Sequence, residues 1–308
     1  MAEMIATREA YGNALVKLAD EYKNMVVLDA DLAHATMTQA VAEACPERFF
    51  NAGIAEANMT DMAVGLSLMG YVPFVSTFAV FGTGRNFEEI RNSVCYPKSN
   101  VKLAMTHAGI SVGPDGGSHQ SVEDVALMRV LPNMTVLCPA DANETEKAMR
   151  AALEMDGPVY LRLSRAASKV LPEQPFTVGK ANCLREGKDG AVLTYGLMVD
   201  CALEAADRLA AEGIDLAVWN FHTIKPLDED VIRACAAQYD RIVTLEEHSV
   251  IGGLGEAAAS VLCETGGCRL KKLGVQDAFG QSGTPEELLQ HYRLDADSVT
   301  EDIRAFYA

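Results

Sequence analysis

Residues 106–120 read Thr-His-Ala-Gly-Ile-Ser-Val-Gly-Pro-Asp-Gly-Gly-Ser-His-Gln and follow a short apolar segment typical of a strand. Its four glycines let a ligand approach the backbone closely, and loops beyond strand ends carry the functional residues of α/β proteins. Three side chains of this loop can bind hydroxyl groups or exchange protons: His107, Asp115 and His119. Ser121-Val-Glu-Asp124 has capping-box spacing, which predicts a helix start and an anion-binding N-terminus beside His119.

Predicted strands and helices alternate on both sides of this loop, which favours βαβ units and a mostly parallel sheet covered on both faces. We predict an α/β protein with a parallel-sheet domain at 1–170, a linker at 171–189 and a smaller α/β domain at 190–308. In the first domain, strands are predicted at 25–28, 48–50, 72–76, 101–105, 135–138 and 159–163, and helices at 7–22, 36–45, 54–69, 87–96, 122–130 and 142–155.

The composition indicates a globular protein that binds neither nucleic acid nor a membrane. Apolar residues make up 49 % and charged residues 22 %, and the net charge of −17 leaves no excess of basic groups for a polyanion. No uncharged apolar run reaches the roughly 18 residues of a membrane span, and the N-terminal sequence has no signal-peptide core. The eight cysteines include no Cys-x-x-Cys pair, so we expect a reduced, cytoplasmic protein.

Glu56 is the first candidate for proton chemistry. It lies near the start of the helix predicted at 54–69, where Thr60, Ala63 and Ser67 continue a stripe of small or polar residues. Small side chains allow another body to approach closely, and Glu56 is then the strong proton acceptor on that contact face. The alternative is a first-turn glutamate that stabilises the helix through its dipole.

The loop at 106–120 resembles the substrate-binding loop of transketolases, and further motifs follow the order found in that family. The resemblance covers essentially all 308 residues, but only the C-terminal half of an ordinary transketolase. The other motifs are Ile5-Ala-Thr-Arg-Glu9, Leu28-Asp-Ala-Asp-Leu32, Asn51-Ala-Gly-Ile-Ala-Glu56, Ser76-Thr-Phe-Ala-Val-Phe81, Leu131-Pro-Asn-Met134, Cys138-Pro-Ala-Asp141, Leu163-Ser-Arg165, Thr223-Ile-Lys-Pro-Leu-Asp228 and Glu246-Glu-His248.

The resemblance implies a pyrimidine-binding domain of a thiamine diphosphate enzyme, followed by a transketolase C-terminal domain. In the family, the glutamate at the position of Glu56 contacts N1′ of the aminopyrimidine ring and assists proton exchange there. The aromatic at the position of Phe81 packs on that ring, and the resemblance adds Phe78 and Asp31 as cofactor contacts. The implied reaction moves a two-carbon ketol unit from a ketose phosphate to an aldose phosphate.

The resemblance also assigns residues to the substrate. His107 and His119 are implied as catalytic groups because imidazole both donates and accepts protons. Arg8 and Arg165 are implied to grip the terminal phosphate through bidentate contacts, with Arg162 as a weaker candidate. The implied substrate-binding set is Arg8, His107, Asp115, His119 and Arg165.

Three positions depart from the family pattern. Ala35 stands where the family usually has a phosphate-binding serine, and Thr36 is the substitute that the sequence offers. Gly84 replaces an aromatic residue near the pyrimidine, and Gly116-Gly-Ser-His119 replaces the usual Gly-Pro-Thr-His. These departures leave the identity of the sugar and its dependence on phosphate open.

The family's diphosphate motif, Gly-Asp-Gly, occurs nowhere in the sequence. We therefore expect the ligands of Mg²⁺ and of the diphosphate to come from a separate N-terminal transketolase subunit. Because the family's cofactor lies between two protomers, the expected assembly is a 2+2 heterotetramer.

Other members of the same superfamily remain as alternatives. A 2-oxo-acid dehydrogenase β subunit also lacks the diphosphate motif, and 1-deoxyxylulose-5-phosphate synthase has similar loop motifs. A non-catalytic subunit of the same fold is a further alternative. The Gly252-Gly-Leu-Gly-Glu256 turn fits neither a Walker loop nor a full dinucleotide motif, so we interpret it as a tight turn between strand and helix.

Overall fold

The strands form three sheets in the computed structural model, which describes residues 3–308. Most are short runs of buried β-branched and aliphatic residues, as expected for a sheet that is covered on both faces. They are β1 (Met4–Ala6), β2 (Met25–Asp29), β3 (Phe49–Asn51), β4 (Val72–Ser76), β5 (Lys102–Met105), β6 (Thr135–Leu137), β7 (Val159–Arg162), β8 (Ala167–Lys169), β9 (Asn182–Arg185), β10 (Gly190–Thr194), β11 (Leu216–Asn220), β12 (Thr223–Lys225), β13 (Arg241–Ser249) and β14 (Arg269–Val275).

The first sheet has the order β12-β6-β7-β5-β4-β2-β3 and is parallel except for β12. The second has the order β14-β13-β10-β11-β9 and is parallel except for β9. A small antiparallel pair joins β1 to β8. The predicted α/β class with a parallel sheet in the first domain is therefore confirmed.

Helices cover both faces of the two large sheets. They are α1 (Thr7–Glu21), α2 (Ala33–Thr36), α3 (Gln39–Ala44), α4 (Glu56–Leu68), α5 (Phe87–Glu89), α6 (Asp124–Val130), α7 (Ala142–Glu154), α8 (Met198–Ala211), α9 (Glu229–Gln238), α10 (Leu254–Thr265), α11 (Pro285–His291) and α12 (Ala296–Tyr307). Two π-helical segments, Phe81–Arg85 and Ile90–Cys95, flank α5. Within residues 3–308, no helix combines the length and the apolar character needed to cross a membrane.

The core is continuous between the two sheets. One apolar cluster includes buried residues of both, such as Leu28 and Met105 from the first and Leu193 and Ile242 from the second. Two further clusters fill the outer faces, one under α1 and α7 and one under α8 and α12. Shared burial of this kind fixes the second sheet against the first.

Three local predictions are wrong. The helix predicted at 36–45 is divided into α2 and α3, because Met37 adopts a left-handed conformation (φ 67°). The helix predicted at 122–130 begins at Asp124 without a side-chain cap, so Ser121 forms no capping box and His119 is not beside a helix N-terminus. The predicted linker at 171–189 contains β9, which pairs with β11.

Candidate functional site

Most of the predicted site residues lie where the parallel strands of the first sheet end. Neighbouring parallel strands bring the loops beyond their carboxyl ends to one edge, which is the usual place for a ligand in α/β proteins. Arg8 reaches this edge from the first turn of α1, where its backbone N–H donates to the Ser164 carbonyl at 3.3 Å. The others are Asp31 after β2, Glu56 after β3, Phe78 and Phe81 after β4, His107, Asp115 and His119 after β5, and Arg165 after β7.

Four aromatic and imidazole rings from two neighbouring loops form one cluster. The ring of Phe78 stacks on His107 with a centroid distance of 3.8 Å and on Phe81 with a distance of 5.9 Å. His119 meets the Phe81 ring edge-on at 5.3 Å. The order of the first sheet makes this possible, because β4 and β5 are adjacent and Phe78 forms a bridge to Thr106.

His107 is buried and surrounded by positive groups. Burial lowers its pKa to about 3, and the charges of Arg8, Arg165 and His119 act in the same direction. Its Nδ1 lies 2.8 Å from the Thr106 hydroxyl, which fixes the plane of the ring. The imidazole is therefore neutral near pH 7 and can form hydrogen bonds as a neutral ring.

The two predicted anion-binding arginines lie near each other on one side of the rings. Burial lowers the pKa of Arg8, and the nearby charge of Arg165 lowers it further. Arg8 donates to the Ala35 carbonyl at 2.9 Å, and its buried Nε has no partner among the described residues. Arg165 donates to the Val112 carbonyl at 2.6 Å and to Asp115 at 3.0 Å. The two positive charges repel each other, and an anion bound between them would offset this repulsion.

Glu56 is connected to the ring cluster by Arg85. The Glu56 carboxylate is buried and accepts a hydrogen bond from Arg85 Nη1 at 2.9 Å. The guanidinium carbon of Arg85 lies 4.1 Å above the Phe81 ring. The sequence analysis missed Arg85, although its position in the turn after Phe81 was a usable signal.

The stripe predicted on α4 is buried against its own chain. Thr60 and Ala63 are buried, and the Thr60 hydroxyl lies 2.7 Å from the side-chain amide of Asn86. The prediction that another body approaches along this stripe is wrong at these residues. Exposed apolar side chains lie elsewhere on and around the helix, at Leu68 and Met69.

Thr36 does not replace the missing serine at position 35. Its hydroxyl is fully buried and donates to the Asp29 carboxylate at 2.7 Å, which also accepts from Thr38 at 2.9 Å. Asp31 is exposed, with φ at 65° and a hydrogen bond from Asn51 at 3.1 Å. Its side chain therefore lies on the solvent side of this edge, and its contact with the cofactor stays a prediction.

Arg162, the weaker candidate for phosphate binding, does not reach the site. Its guanidinium is buried and forms two bonds to Asp124, at 2.7 and 3.2 Å, and one to the Glu247 carbonyl at 2.9 Å. Burial alone would raise the pKa of Asp124, but Arg162 lowers it below its usual value. Arg162 therefore joins the two domains through its Nε and Nη2 donors.

The described residues contain no group of three or more His, Cys, Asp or Glu side chains that could hold a metal ion. The groups at this edge suit an aromatic ring, a polyhydroxy compound and a terminal anion.

Family comparisons agree with this arrangement. The family model for the transketolase pyrimidine binding domain matches residues 3–169. The model for the transketolase C-terminal domain matches residues 179–299. The chain belongs to the transketolase family.

Several relatives in the transketolase family match nearly the whole chain. A transketolase C-terminal section of Methanocaldococcus jannaschii is 45 % identical, and the match covers 96 % of this chain and 94 % of the relative. A 6-deoxy-6-sulfo-D-fructose transketolase subunit of Clostridium sp. (strain MSTE9) is 40 % identical over 95 % of this chain and 91 % of the relative. Rat transketolase is 37 % identical, and the chain spans 49 % of its length.

Solved structures of transketolases have the same fold. A split-gene transketolase, described as an inactive β4 tetramer, is 50 % identical with a TM-score of 0.89, and the match covers 98 % of each chain. The transketolase of Campylobacter jejuni is 25 % identical with a TM-score of 0.84, covering 99 % of this chain and 47 % of that one. The predicted family and the predicted order of a pyrimidine-binding domain and a C-terminal domain are therefore confirmed.

Proposed function

We propose that this chain is the C-terminal subunit of a thiamine-diphosphate-dependent transketolase that transfers a two-carbon ketol unit between sugar phosphates. The observation that carries the proposal is the order of groups along one sheet edge. A buried carboxylate lies beside an aromatic ring, two histidines follow, and two arginines lie near the far end. This order suits a heteroaromatic cofactor, a polyhydroxy substrate and its terminal anion.

Glu56 and Phe81 are the residues that would hold the aminopyrimidine ring. A flat apolar ring can carry a heteroaromatic ring, and a buried carboxylate can share a proton with a ring nitrogen. When bound, thiamine diphosphate supplies a nucleophilic carbon that accepts the two-carbon unit. Arg85 holds Glu56 from the solvent side through an ion pair at 2.9 Å, which orients the carboxylate.

His107 and His119 would handle the hydroxyl groups of the substrate. A neutral imidazole that is held by Thr106 can hydrogen-bond a sugar hydroxyl and the carbonyl oxygen that forms from it. The His119 ring centroid is 5.3 Å from that of Phe81, and its Nδ1 is hydrogen-bonded to Ser118 at 3.0 Å. His119 would therefore contact a second hydroxyl group of a substrate that lies over the ring cluster.

Arg8 and Arg165 would bind the terminal anion of the substrate. The buried, unpaired Nε of Arg8 supports this role, because a buried donor without an acceptor is costly. The buried Thr36 leaves no threonine hydroxyl to replace the usual serine. A relative named for a sulfonated fructose makes a sulfonate a second candidate for this anion, since it also presents three oxygens to two guanidinium groups.

A partner subunit would complete the site with the diphosphate and Mg²⁺ ligands. Residues 3–308 offer no cluster of metal-ligating side chains, and a hard cation needs several oxygen ligands. Ile54, Leu68 and Met69, at the two ends of α4, expose 77 %, 82 % and 77 % of their surface, as is typical of protein–protein contacts. A 2+2 heterotetramer in the cytoplasm is the proposed assembly.

The test is ketol transfer from xylulose 5-phosphate to ribose 5-phosphate with thiamine diphosphate and Mg²⁺. We expect no activity from this chain alone and activity when an N-terminal transketolase subunit that carries the Gly-Asp-Gly motif is added. The same mixture is assayed with 6-deoxy-6-sulfo-D-fructose as donor, and for 1-deoxyxylulose 5-phosphate formation from pyruvate and glyceraldehyde 3-phosphate.

Activity only in the last assay would replace the proposal with the synthase. A mixture that binds the cofactor but turns over none of these substrates would support a non-catalytic subunit or a 2-oxo-acid dehydrogenase.

A further inference from the structure

The loop at 109–120, called the substrate loop below, lies on the second domain. It carries Asp115 and His119, yet neither side chain bonds to that domain: Asp115 pairs with Arg165, and His119 pairs with Ser118. Their positions therefore depend on how the backbone of the loop is held. Two parts of the second domain hold it, Glu247 of β13 and the segment at 276–285 between β14 and α11, called the brace.

Gln120 connects the substrate loop to the brace. Its side chain is only 4 % exposed, and its amide donates to the carbonyls of Ile110 at 3.2 Å and Gly113 at 3.3 Å. The same nitrogen donates to the carbonyl of Gln281 in the brace at 2.9 Å. One buried amide thus closes the substrate loop on itself and attaches it to the second domain.

The brace and the loop approach each other closely at three glycines, and at Gly117 the contact is with backbone. A Cβ on Gly280 would lie 1.6 Å from Oε1 of Gln120, and a Cβ on Gly117 would lie 2.5 Å from the Gly280 carbonyl oxygen. A Cβ on Gly116 would lie 2.6 Å from Oγ of Ser282. Real Cβ atoms are not found this close to other atoms, so a side chain at Gly117 would push the loop and the brace apart, and one at Gly280 would displace the Gln120 amide.

Glu247 holds the other end of the loop. Its buried carboxylate accepts a hydrogen bond from the backbone N–H of Ser111 at 2.6 Å. A Cβ on Gly109 would lie 2.3 Å from the same carboxylate. The loop is therefore fixed at Ser111 and at Gln120, and the residues between these points can take only a narrow range of positions.

We propose that Gln120 and the brace are positioning elements that set where Asp115 and His119 meet the substrate. The inference rests on the proposed function, because it assigns the second domain a part in substrate binding within the same reaction. A displacement of about 1 Å at a reacting group can cost about 100-fold in rate, so a small shift of the loop is sufficient for a large effect.

The test uses Gln120→Ala, Gly280→Ala and the double variant, each reconstituted with the N-terminal subunit. Gln238→Ala is the control, since Gln238 is exposed on α9 of the same domain. We expect kcat/KM for xylulose 5-phosphate to fall about 10- to 100-fold in each single variant. The dissociation constant for thiamine diphosphate, measured by calorimetry, should stay within about two-fold, because Glu56 and Phe81 lie outside the loop.

The double variant separates positioning from general damage. Gly280→Ala acts through a clash with the Gln120 side chain, so truncating Gln120 should relieve it, and the double variant should be no slower than Gln120→Ala alone. If the double variant instead loses kcat/KM by the product of the two single losses, the inference is overturned. A parallel loss of cofactor affinity, or unchanged kinetics in both single variants, would also overturn it.

Amide hydrogen exchange measures how firmly the loop is held without depending on catalytic activity. In Gln120→Ala the amides at 113–119 should exchange at least about ten-fold faster, while those of β4 keep the wild-type rate. If the wild-type mixture lacks transketolase activity, the proposed function fails, and the exchange experiment still decides whether the brace holds the loop. Unchanged exchange at 113–119 would show that it does not.

Discussion

The carboxyl ends of the two large sheets both carry charged and imidazole side chains, but these side chains differ in how their hydrogen bonds are completed. At the edge of the first sheet, Arg165 and Asp115 are half-exposed and Arg8 keeps a buried donor without a partner. At the end of β13 in the second sheet, the Glu246 carboxylate accepts from the backbone N–H groups of Leu254 and Gly255 at 2.8 and 2.9 Å. His248 likewise accepts from the Ala126 N–H at 3.3 Å.

The difference lies in what completes the hydrogen bonds of each edge. The Glu246 carboxylate at the second edge is satisfied by the backbone, so it stabilises the turn at 252–255, and His248 contributes to the contact between domains. Charges at the first edge are left partly for a ligand. Two mostly parallel sheets can thus serve as a scaffold and as a site, and the hydrogen-bond partners of Glu246 and Arg8 tell them apart.

Two glutamates provide the strongest test of this comparison. Glu56→Gln should lower the kcat of the reconstituted enzyme by about 100- to 10,000-fold, because the shared proton at the cofactor ring is lost. Its free energy of unfolding should change by less than about 1 kcal/mol, because its partner Arg85 is half-exposed.

The matched change, Glu246→Gln, should lower the free energy of unfolding by about 2–3 kcal/mol, since two buried N–H groups lose a charged acceptor. Urea unfolding and steady-state kinetics on both variants check the pair. Equal loss of stability in the two variants would contradict the division between scaffold and site.

Two arginines three positions apart sharpen the comparison. Arg165→Gln should lower kcat/KM for a phosphorylated ketose about 10- to 150-fold by removing a charged hydrogen bond to the anion. It should have little effect on a donor without the terminal anion, such as hydroxypyruvate. Arg162→Gln should instead lower the free energy of unfolding by about 3–5 kcal/mol, because it leaves the buried Asp124 unpaired. Equal losses with both donors in Arg165→Gln would argue against an anion site.

Two buried histidines give the smallest expected effect. Burial lowers the pKa of His107 to about 3 and that of His222, after β11, to about 4, but only His107 also feels Arg8 and Arg165. Each folded-state pKa lies below the unfolded value, so stability is full above pH 6.5 and falls as the pH drops toward these values. Each histidine adds a slope of at most about 1.4 kcal/mol per pH unit.

Inorganic phosphate between the arginines should raise the pKa of His107 and reduce this slope. Urea titrations at several pH values should show that phosphate reduces the slope of stability against pH in the wild type and in His222→Asn. In His107→Asn, phosphate should leave that slope unchanged. The same phosphate effect in all three proteins would contradict an anion site beside His107.

The sequence predicted what depends on local pattern. Alternating apolar segments were sufficient for the sheet at β2, β4 and β5, and the motifs that resemble transketolases led to Glu56 and to the loop at 106–120. The errors at the site depend on which partner satisfies each polar side chain, which the local pattern does not report. The sequence offers Arg162 as an anion-binding residue, but its Nε donates to the carboxylate of Asp124, 38 positions away.

The same reason applies to Thr36 and Arg85. The Thr36 hydroxyl is taken by Asp29, which lies seven residues earlier but across a turn, and Arg85 meets Glu56 across 29 positions. Periodicity reports which face of an element is apolar, but not which partner satisfies a polar group on it.

Strand β12 gives the chain a folding order that its two-domain sequence does not suggest. Thr223 and Lys225 follow three strands of the second sheet in the chain, β9, β10 and β11. They nevertheless pair with Leu137 and Val136 at the edge of the first sheet. A fragment that stops at residue 189 lacks this strand and leaves β6 with an open hydrogen-bonding edge. The first layer is therefore finished only after more than half of the next has been synthesised, and the two halves depend on each other for solubility as well as for shape.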